Sequence, residues 1–400
     1  MRWLKIFRYF PCPTMLLRVS LSFILLAIVP ALAIYACLPR WRRWWMLAPN
    51  LLLLVGTVFL FAAAGFISLE PTVWRTRLLT TVLCVAMPQC VAALFMLFGL
   101  LFRRANPSVR RFFNGVGIAG AATVFFTLVY GITTGSERFV RKEYLVADER
   151  IPAAFDGYRI AVVSDLHVGT HTADTAAVGR MVDFVNATRA DLVCFVGDAV
   201  NFSDRELDEF MPQLSRLCAP DGVVSVMGNH DYLLYYAWPD SACQAAHIAR
   251  LQQAEHTLGW QLLLNKHTVV RRGADSLVIA GVENDSKRAD LPRLADLSRA
   301  LQGVNGTPYT VLLTHDPTHW RRGVVGQMDI PLTFSGHTHG MQFSLFGWSP
   351  AALVYDEWGG RYTAGRQTLI VTTGLGSSLV PFRLGAWPEV AVCTLRHVDR

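Results

Sequence analysis

Residues 155–169 read FDGYRIAVVSDLHVG, in which an apolar run, Ile160–Val163, ends on Ser164-Asp165-Leu166-His167. A short run rich in β-branched residues and bounded by turn formers predicts a buried strand. The same grammar returns four times along the chain. Leu192–Val196 leads into Gly197-Asp198, Val223–Met227 into Gly228-Asn229-His230-Asp231, Val311–Leu313 into Thr314-His315-Asp316, and Leu332–Phe334 into Gly336-His337-Thr338-His339. Helical stretches separate the runs, so the pattern predicts an α/β sheet. Open α/β sheets place their sites beyond the carboxyl ends of their strands. Every run here delivers Asp, Asn or His to that edge.

Such a residue set suits a pair of metal ions. Two cations about 3.5–4 Å apart can share a bridging carboxylate, hold both ends of an in-line displacement and generate hydroxide near neutral pH. Mixed oxygen and imidazole donors suit Mn, Fe or Zn better than Ca. Asp165 and His167, in one tight turn, can reach one ion, while His337 and His339 can divide between neighbouring ions. A single His or Asp is usually a structural residue. Five of the 11 histidines, however, follow apolar runs inside these blocks, which chance scattering does not produce.

In this order the blocks resemble the calcineurin-like metallophosphoesterase superfamily, and within it the membrane-associated YkuE/YaeI-type phosphodiesterase branch. The resemblance rests on FDGYRIAVVSDLHVG, DLVCFVGD (191–198), VMGNHDY (226–232), THDPTH (314–319), FSGHTHGMQ (334–342) and TTGLGSSLVPFRLGAWPEV (372–390), and spans about residues 143–397. It implies a four-layer (α/β/β/α) sandwich. It implies that Asp165, His167 and His339 hold a first metal, that Asn229, His315 and His337 hold a second, and that Asp198 bridges the two. The cofactors implied are two divalent or trivalent ions, Mn, Fe or Zn, and a bridging hydroxide is the implied nucleophile. His230 is implied as the catalytic group over the scissile phosphate, with Asp231 orienting its ring. The chain departs from the family pattern at Asn201, where a second acid often stands, and at Met341, where this branch commonly has a glycine. Neither change removes a ligand, so both bear on substrate fit. Asp316 is expected to stabilise its loop or to orient a ligand imidazole. Arg383 can either meet a phosphate bidentately or form an ion pair within the fold. His171 and His319 read as solvated loop residues beside the blocks.

Ahead of these blocks the composition changes. Residues 1–132 carry 13 Lys and Arg against one acid, Glu70, whereas residues 133–400 carry 24 against 29. The net charge of +7 therefore reports basic loops beside apolar segments, and no nucleic-acid binding is expected. Four apolar stretches, about Met15–Leu38, Trp45–Ile67, Leu78–Phe102 and Phe112–Ile132, reach the ~20 residues a membrane helix needs. Arg40, Trp41, Arg42, Arg43, Trp44 and Trp45 crowd their edges, as interfacial residues do. No ionisable residue lies mid-span, which argues against a channel or transporter. Gly115, Gly117 and Gly120 suit close helix packing. The eight cysteines show no CxxC spacing, so neither a disulfide scaffold nor a zinc knuckle is expected. The predicted organisation is a four-helix transmembrane anchor over 1–132, a linker over 133–152 and a metallophosphoesterase domain over 153–400. That describes a multi-pass protein of the cell membrane, with loop charges that favour neither face.

The expected activity is hydrolysis of a phosphodiester or pyrophosphate bond, on a lipid-linked substrate presented among membrane lipids. GMQFSLFGW (340–348) reads equally as a surface for acyl chains or as a buried hairpin. The alternatives are a phosphoprotein or monoester phosphatase, and a non-catalytic scaffold of the same fold. A scaffold is expected to have lost ligands or His230, and this chain keeps them all.

Overall fold

The computed structural model describes residues 29–35, 37, 71–102, 106–171, 174–236, 238–306 and 308–399. The chain divides into two compact units, Met1–Thr134 and Gly135–Arg400.

In the first unit, α1 (Pro71–Leu101) and α2 (Pro107–Thr133) contain segments long and apolar enough to cross a membrane. Asn106 caps α2 by accepting from the N–H groups of Ser108 and Val109, and Pro107 fills the first turn, where no N–H is required. A Cβ on Gly117 would stand 3.0 Å from Phe95 Cβ, and one on Gly120 would stand 3.0 Å from Val91 Cγ1. These two glycines therefore allow α2 to approach α1 closely, whereas Gly115 faces open space. The pair corresponds to the third and fourth predicted spans. Residues 29–35 of the first predicted span are helical. Its beginning, the second span Trp45–Ile67, the interfacial residues at 40–45 and Glu70 lie outside the described residues. Among the described residues, α1 and α2 are the two candidate membrane helices.

The second unit holds two six-stranded mixed sheets. In spatial order the first contains β1 (Val140–Asp148), β12 (Glu389–His397), β2 (Arg159–Val163), β3 (Leu192–Phe195), β4 (Val223–Ser225) and β5 (Gln261–Leu262). The second contains β10 (Gly360–Ala364), β11 (Gln367–Val371), β9 (Leu332–Ser335), β8 (Thr310–Leu313), β7 (Asp275–Gly281) and β6 (Lys266–Arg272). β2 to β5 run parallel, as do β7, β8, β9 and β11, and the antiparallel pairs lie toward the edges.

Alternation along the strands builds the layers. Ile160, Val162, Leu192 and Cys194 meet Ile279, Val311, Leu313, Leu332 and Phe334 between the sheets. Ala161, Val163, Val193 and Phe195 turn the other way, onto α3 (Thr175–Asn186) and α4 (Ser241–Thr257). Leu312, Leu369 and Val371 turn outward from the second sheet onto Ala300, Trp320 and Val324. That last layer is thin, made of one helical turn at Leu297–Ala300 and a π-turn at Trp320–Val324.

Part of the segment read as a linker is a strand. β1 pairs with β12 in parallel along its whole length, and its exposed Arg141, Lys142 and Glu143 give it a polar profile. Charges on an edge strand keep it from pairing with other chains, which is why it resembles a link in the sequence.

A buried acid in α4 makes the fold sensitive to pH. Glu255 is fully buried, accepts from Ser225 Oγ at 2.5 Å, and leaves Oε1 without a hydrogen-bond partner. Burial, reinforced by the Asp231 carboxylate, pushes its pKa up from 4.5 to about 8. The folded state then holds a proton that the unfolded chain has released. Stability is therefore full below the unfolded pKa and falls by about 1.4 kcal/mol per pH unit up to the folded value. Thermal melts between pH 5 and 8 should show this decline, and Glu255→Gln should remove its share. Identical slopes in the two proteins would mean that Glu255 ionises freely.

Candidate metal centre

Five strands of the two sheets end on one cluster. β2 is followed by Asp165 and His167, β3 by Asp198, β4 by Asn229 and His230, β8 by His315, and β9 by His337 and His339. Six of the seven residues predicted as ligands come together here with their donor atoms facing one another, and Asn229 stands after β4 with its Oδ1 buried and unpartnered. His167 Nε2 and His339 Nε2 stand 3.0 Å apart, and His339 Nε2 stands 3.2 Å from Asp165 Oδ1. Asp198 Oδ2 is 3.1 Å from His315 Nε2 and 3.7 Å from His167 Nε2. His337 Nδ1 is 3.2 Å from His315 Nε2. Asp165, His167 and His339 form one set able to hold an ion, and Asp198, His315 and His337 form another. The Oδ1 atoms of Asp165 and Asn229 are buried without a hydrogen-bond partner. Buried polar atoms are normally satisfied, so two orphaned oxygens beside lone-pair nitrogens fit cation ligation. A third group, His167, Asp198 and His230, also converges.

The backbone is bent to make this cluster. Asp165, His167, Asp198, His337 and His339 all have left-handed φ, between 43° and 73°. Such conformations are uncommon outside glycine and concentrate at functional sites. Gly197 and Gly228 are required by close approach, because a Cβ on Gly197 would collide with the Gly228 backbone and one on Gly228 with the Asp198 carboxylate.

Three of the four ligand-candidate imidazoles, His315, His337 and His339, have their outer edges fixed, whereas His167 Nδ1 has no hydrogen-bond partner. His315 Nδ1–H donates to the Val196 carbonyl at 2.7 Å, leaving Nε2 for the cluster. His337 turns Nε2 to Tyr355 Oη at 3.0 Å, with Asp316 Oδ2 at 3.6 Å, leaving Nδ1 inward. Asp316 also accepts from the Thr318 N–H and hydroxyl, so it both shapes its loop and backs a ring. Asn229 Nδ2 donates to Tyr235 Oη at 2.9 Å, which turns its oxygen to the site.

Electrostatics separate the two carboxylates. Burial raises Asp165 to about 6, opposed by the His315 charge. Burial acts on Asp198 in the same sense, but His315, His230 and His167 reverse it and hold Asp198 well below the usual range. Burial also lowers His167 to about 3 and His337 to about 4, so their rings are neutral lone-pair donors. His315 moves the other way, to about 10, because Asp198 outweighs its desolvation. Asp198 is thus the charge around which the cluster is organised.

Several surrounding residues differ from expectation. Asp231 does not touch the His230 ring. Its carboxylate accepts from the N–H groups of Asp198 (2.7 Å), Ala199 (2.9 Å) and Gly228 (2.9 Å), tying the β3 loop to the β4 loop. His230 Nδ1 instead meets the Asn201 carbonyl at 2.6 Å. Asn201 shapes this loop through its amide, which donates to the His167 carbonyl and Thr170 Oγ1. His319 is buried beside Thr314, and His171 closes a one-turn helix. Tyr235 and Tyr355 carry no motif signal, and sequence reasoning missed both.

Arg383 is neither a phosphate clamp nor an ion-pair partner. Fully buried, it donates to the carbonyls of His339, Thr373, Gly374, Gly376 and Ala386, and its Nη2 stands 3.1 Å from His339 Nδ1. Burial lowers its pKa to about 10, which leaves it charged at neutral pH. The guanidinium therefore holds the His339 turn against the 372–387 segment. Arg383→Lys is expected to cost about 2–6 kcal/mol, since three ammonium donors leave two of the five carbonyls unserved and each unsatisfied one costs about 1–3 kcal/mol. A lower melting temperature and reduced metal retention would be measured. An unchanged melting temperature would mean that water reaches those carbonyls.

Residues 158–341 match the family model of the calcineurin-like phosphoesterases. A transmembrane protein with metallophosphoesterase domain from Danio rerio is 26% identical over 276 residues, covering 67% of this chain and 60% of that protein. The uncharacterized metallophosphoesterase YkuE of Bacillus subtilis (strain 168) is 28% identical over 273 residues, covering 64% of this chain and 85% of the relative. An uncharacterized metallophosphoesterase of Aquifex aeolicus (strain VF5) is 28% identical over 262 residues, 64% of this chain and 92% of the relative.

Proposed function

We propose that this chain, which carries a calcineurin-like metallophosphoesterase domain and is a phosphoesterase hydrolase, cleaves a phosphodiester or pyrophosphate bond in a lipid-linked substrate at a membrane surface. One observation carries the reading. Carboxylate and imidazole donors from four strand ends face one another at 3.0–3.7 Å, in backbone conformations that folding alone does not favour. In this reading Asp165, His167 and His339 hold one ion, Asn229, His315 and His337 hold the other, and Asp198 lies between. Mn, Fe or Zn suits the mixed donor set. Two such cations supply Lewis acidity toward phosphoryl oxygens and lower the pKa of water. His230, with Nδ1–H tied to the Asn201 carbonyl, turns Nε2 toward the cluster, where a bound phosphate anion would raise its proton affinity so that it passes a proton to the leaving oxygen. Asp231 and Arg383 keep the ligand turns in place from behind.

The membrane assignment draws support from the two apolar helices and from the relative named as a transmembrane protein. Residues 1–134 are the proposed anchor and 135–400 the catalytic domain, so that β1 belongs to the enzyme and no separate linker remains. Full-length protein in mixed micelles, freed of metal and then reloaded, should hydrolyse diesters and lipid pyrophosphates in preference to monoesters. Activity that survives chelation would overturn the metal reading. A preference for p-nitrophenyl phosphate over its bis-ester would replace the diesterase with a monoester phosphatase.

A further inference from the structure

We infer that the apolar turn Leu345–Trp348 docks onto the bilayer that holds the chain's own apolar helices. The inference rests on the membrane reading above and gives it a contact surface. Phe346 is 99% exposed at the tip of the turn, with Leu345 and Trp348 half exposed on its flanks and Leu353 78% exposed just beyond. Met341 and Leu379 extend the patch, because the Gln342 side chain bonds the Ser378 N–H and the Val380 carbonyl. No Asp, Glu, Lys or Arg occurs from residue 340 to 355, and the one charge from 374 to 388, Arg383, is buried. These two segments therefore add no exposed charge to the patch, the Lys287 ammonium reaching its edge at the Val354 carbonyl, and exposed apolar patches of this kind mark interaction sites.

Neither packing nor backbone preference accounts for Phe346. Leu345 and Trp348 bond each other at 2.8 and 3.0 Å around a two-residue turn with left-handed φ at Phe346 (52°) and Gly347 (81°). Asn or Gly is the usual first residue of such a turn, and a bulky side chain there is disfavoured. The fold accepts an aromatic ring in a strained position and then leaves it in solvent.

Chain connectivity points to lipid as the occupant. α2 ends at Thr133, and the catalytic unit begins at Gly135. A Cβ on Gly135 would collide with the Arg383 carbonyl, so the first residue of the catalytic unit lies directly against this segment. The next residue, Leu384, donates its N–H to the Gln342 carbonyl at 3.0 Å and accepts from the Ser344 N–H at 2.7 Å. Two such steps, at about 4.8 Å per paired strand, put the root of the turn within roughly 10 Å of Gly135, the first residue of the catalytic unit. Arg138 lies over the Trp387 ring, 4.6 Å from its centroid, adding a cation and an aromatic at the same root. That combination is characteristic of headgroup level. The segment bearing the turn starts at His339, so docking would hold the metal cluster against the lipid.

Full-length protein in liposomes tests this without reference to turnover. Phe346→Cys, in a background where the exposed Cys218 is Ser, is labelled with an environment-sensitive fluorophore, and the background protein is labelled as a blank. Val398→Cys is the control, exposed beyond the far end of β12, about 30 Å of extended strand from its catalytic end. Lipids carrying spin labels on their acyl chains should quench the 346 label and spare the 398 label. Equal quenching at both sites, or none at 346, would overturn the docking surface, including the case in which a protein or a second copy covers the turn. Quenching in a protein that hydrolyses no diester would sink only the proposed activity, and activity without quenching only the docking.

Discussion

Asp198→Asn is expected to lower metal content and to reduce turnover by more than roughly 100-fold, the upper end for losing a residue that merely supports a ligand. The substitution isolates charge from shape. Asn is nearly isosteric with Asp and is among the few residues that tolerate a left-handed φ, so the 61° at this position persists. The Asp198 N–H keeps its bond to Asp231. What disappears is the one carboxylate held well below its usual pKa, with oxygen atoms toward both His167 and His315. Without it, four inward-facing imidazoles, the Asn229 amide and one remaining carboxylate would have to hold the ions. Elemental analysis and diesterase assays on the same preparation decide the matter. Two metals per chain with near-normal activity would remove Asp198 from the centre of the site.

The strands that build this site were readable because both of their faces are buried. Ile160 and Val162 go to one core while Ala161 and Val163 go to another, so the sequence shows an unbroken apolar run. β1 has no such signal, since charged residues occupy its solvent edge. β5 is only two residues long and gives no periodicity to detect. The two apolar helices were readable from length and apolarity, the same two properties that make them candidate spans.

The residues of the cluster were legible for a related reason: each follows a buried strand within a few residues. Residues that act through distant backbone were not. Asp231 looked like a partner for the adjacent His230, yet its hydrogen-bond partners include Asp198 and Ala199, more than 30 residues earlier in the chain. Arg383 suggested a phosphate clamp because its fold partners are main-chain carbonyls, which no side-chain pattern advertises. Tyr355 reaches His337 from a loop with no repeat or motif. A spacing pattern reports what a strand delivers to an edge. What braces that edge from behind depends on loops that meet only in three dimensions.

His230→Ala is expected to retain both metals and to lose roughly 10²–10⁴-fold in rate, the usual contribution of a positioned acid or base. His230 converges with His167 and Asp198, so a ligand role is the competing interpretation. Its surroundings favour the catalytic one. The Nδ1–H bond to Asn201 and the backbone N–H bond of 2.8 Å to Asp198 fix the ring while leaving Nε2 available. Tyr235 packs against one side, 4.4 Å between ring centroids. Burial pulls the His230 pKa down and Asp198 pulls it up, with burial prevailing. The ring is therefore neutral before substrate arrives, and a bound phosphate anion would raise its affinity for a proton at the moment of bond cleavage. A substrate whose leaving group has a low pKa needs that proton least, so it should recover part of the lost rate in the variant. Loss of metal in step with rate, and no dependence on the leaving group, would make His230 a ligand instead.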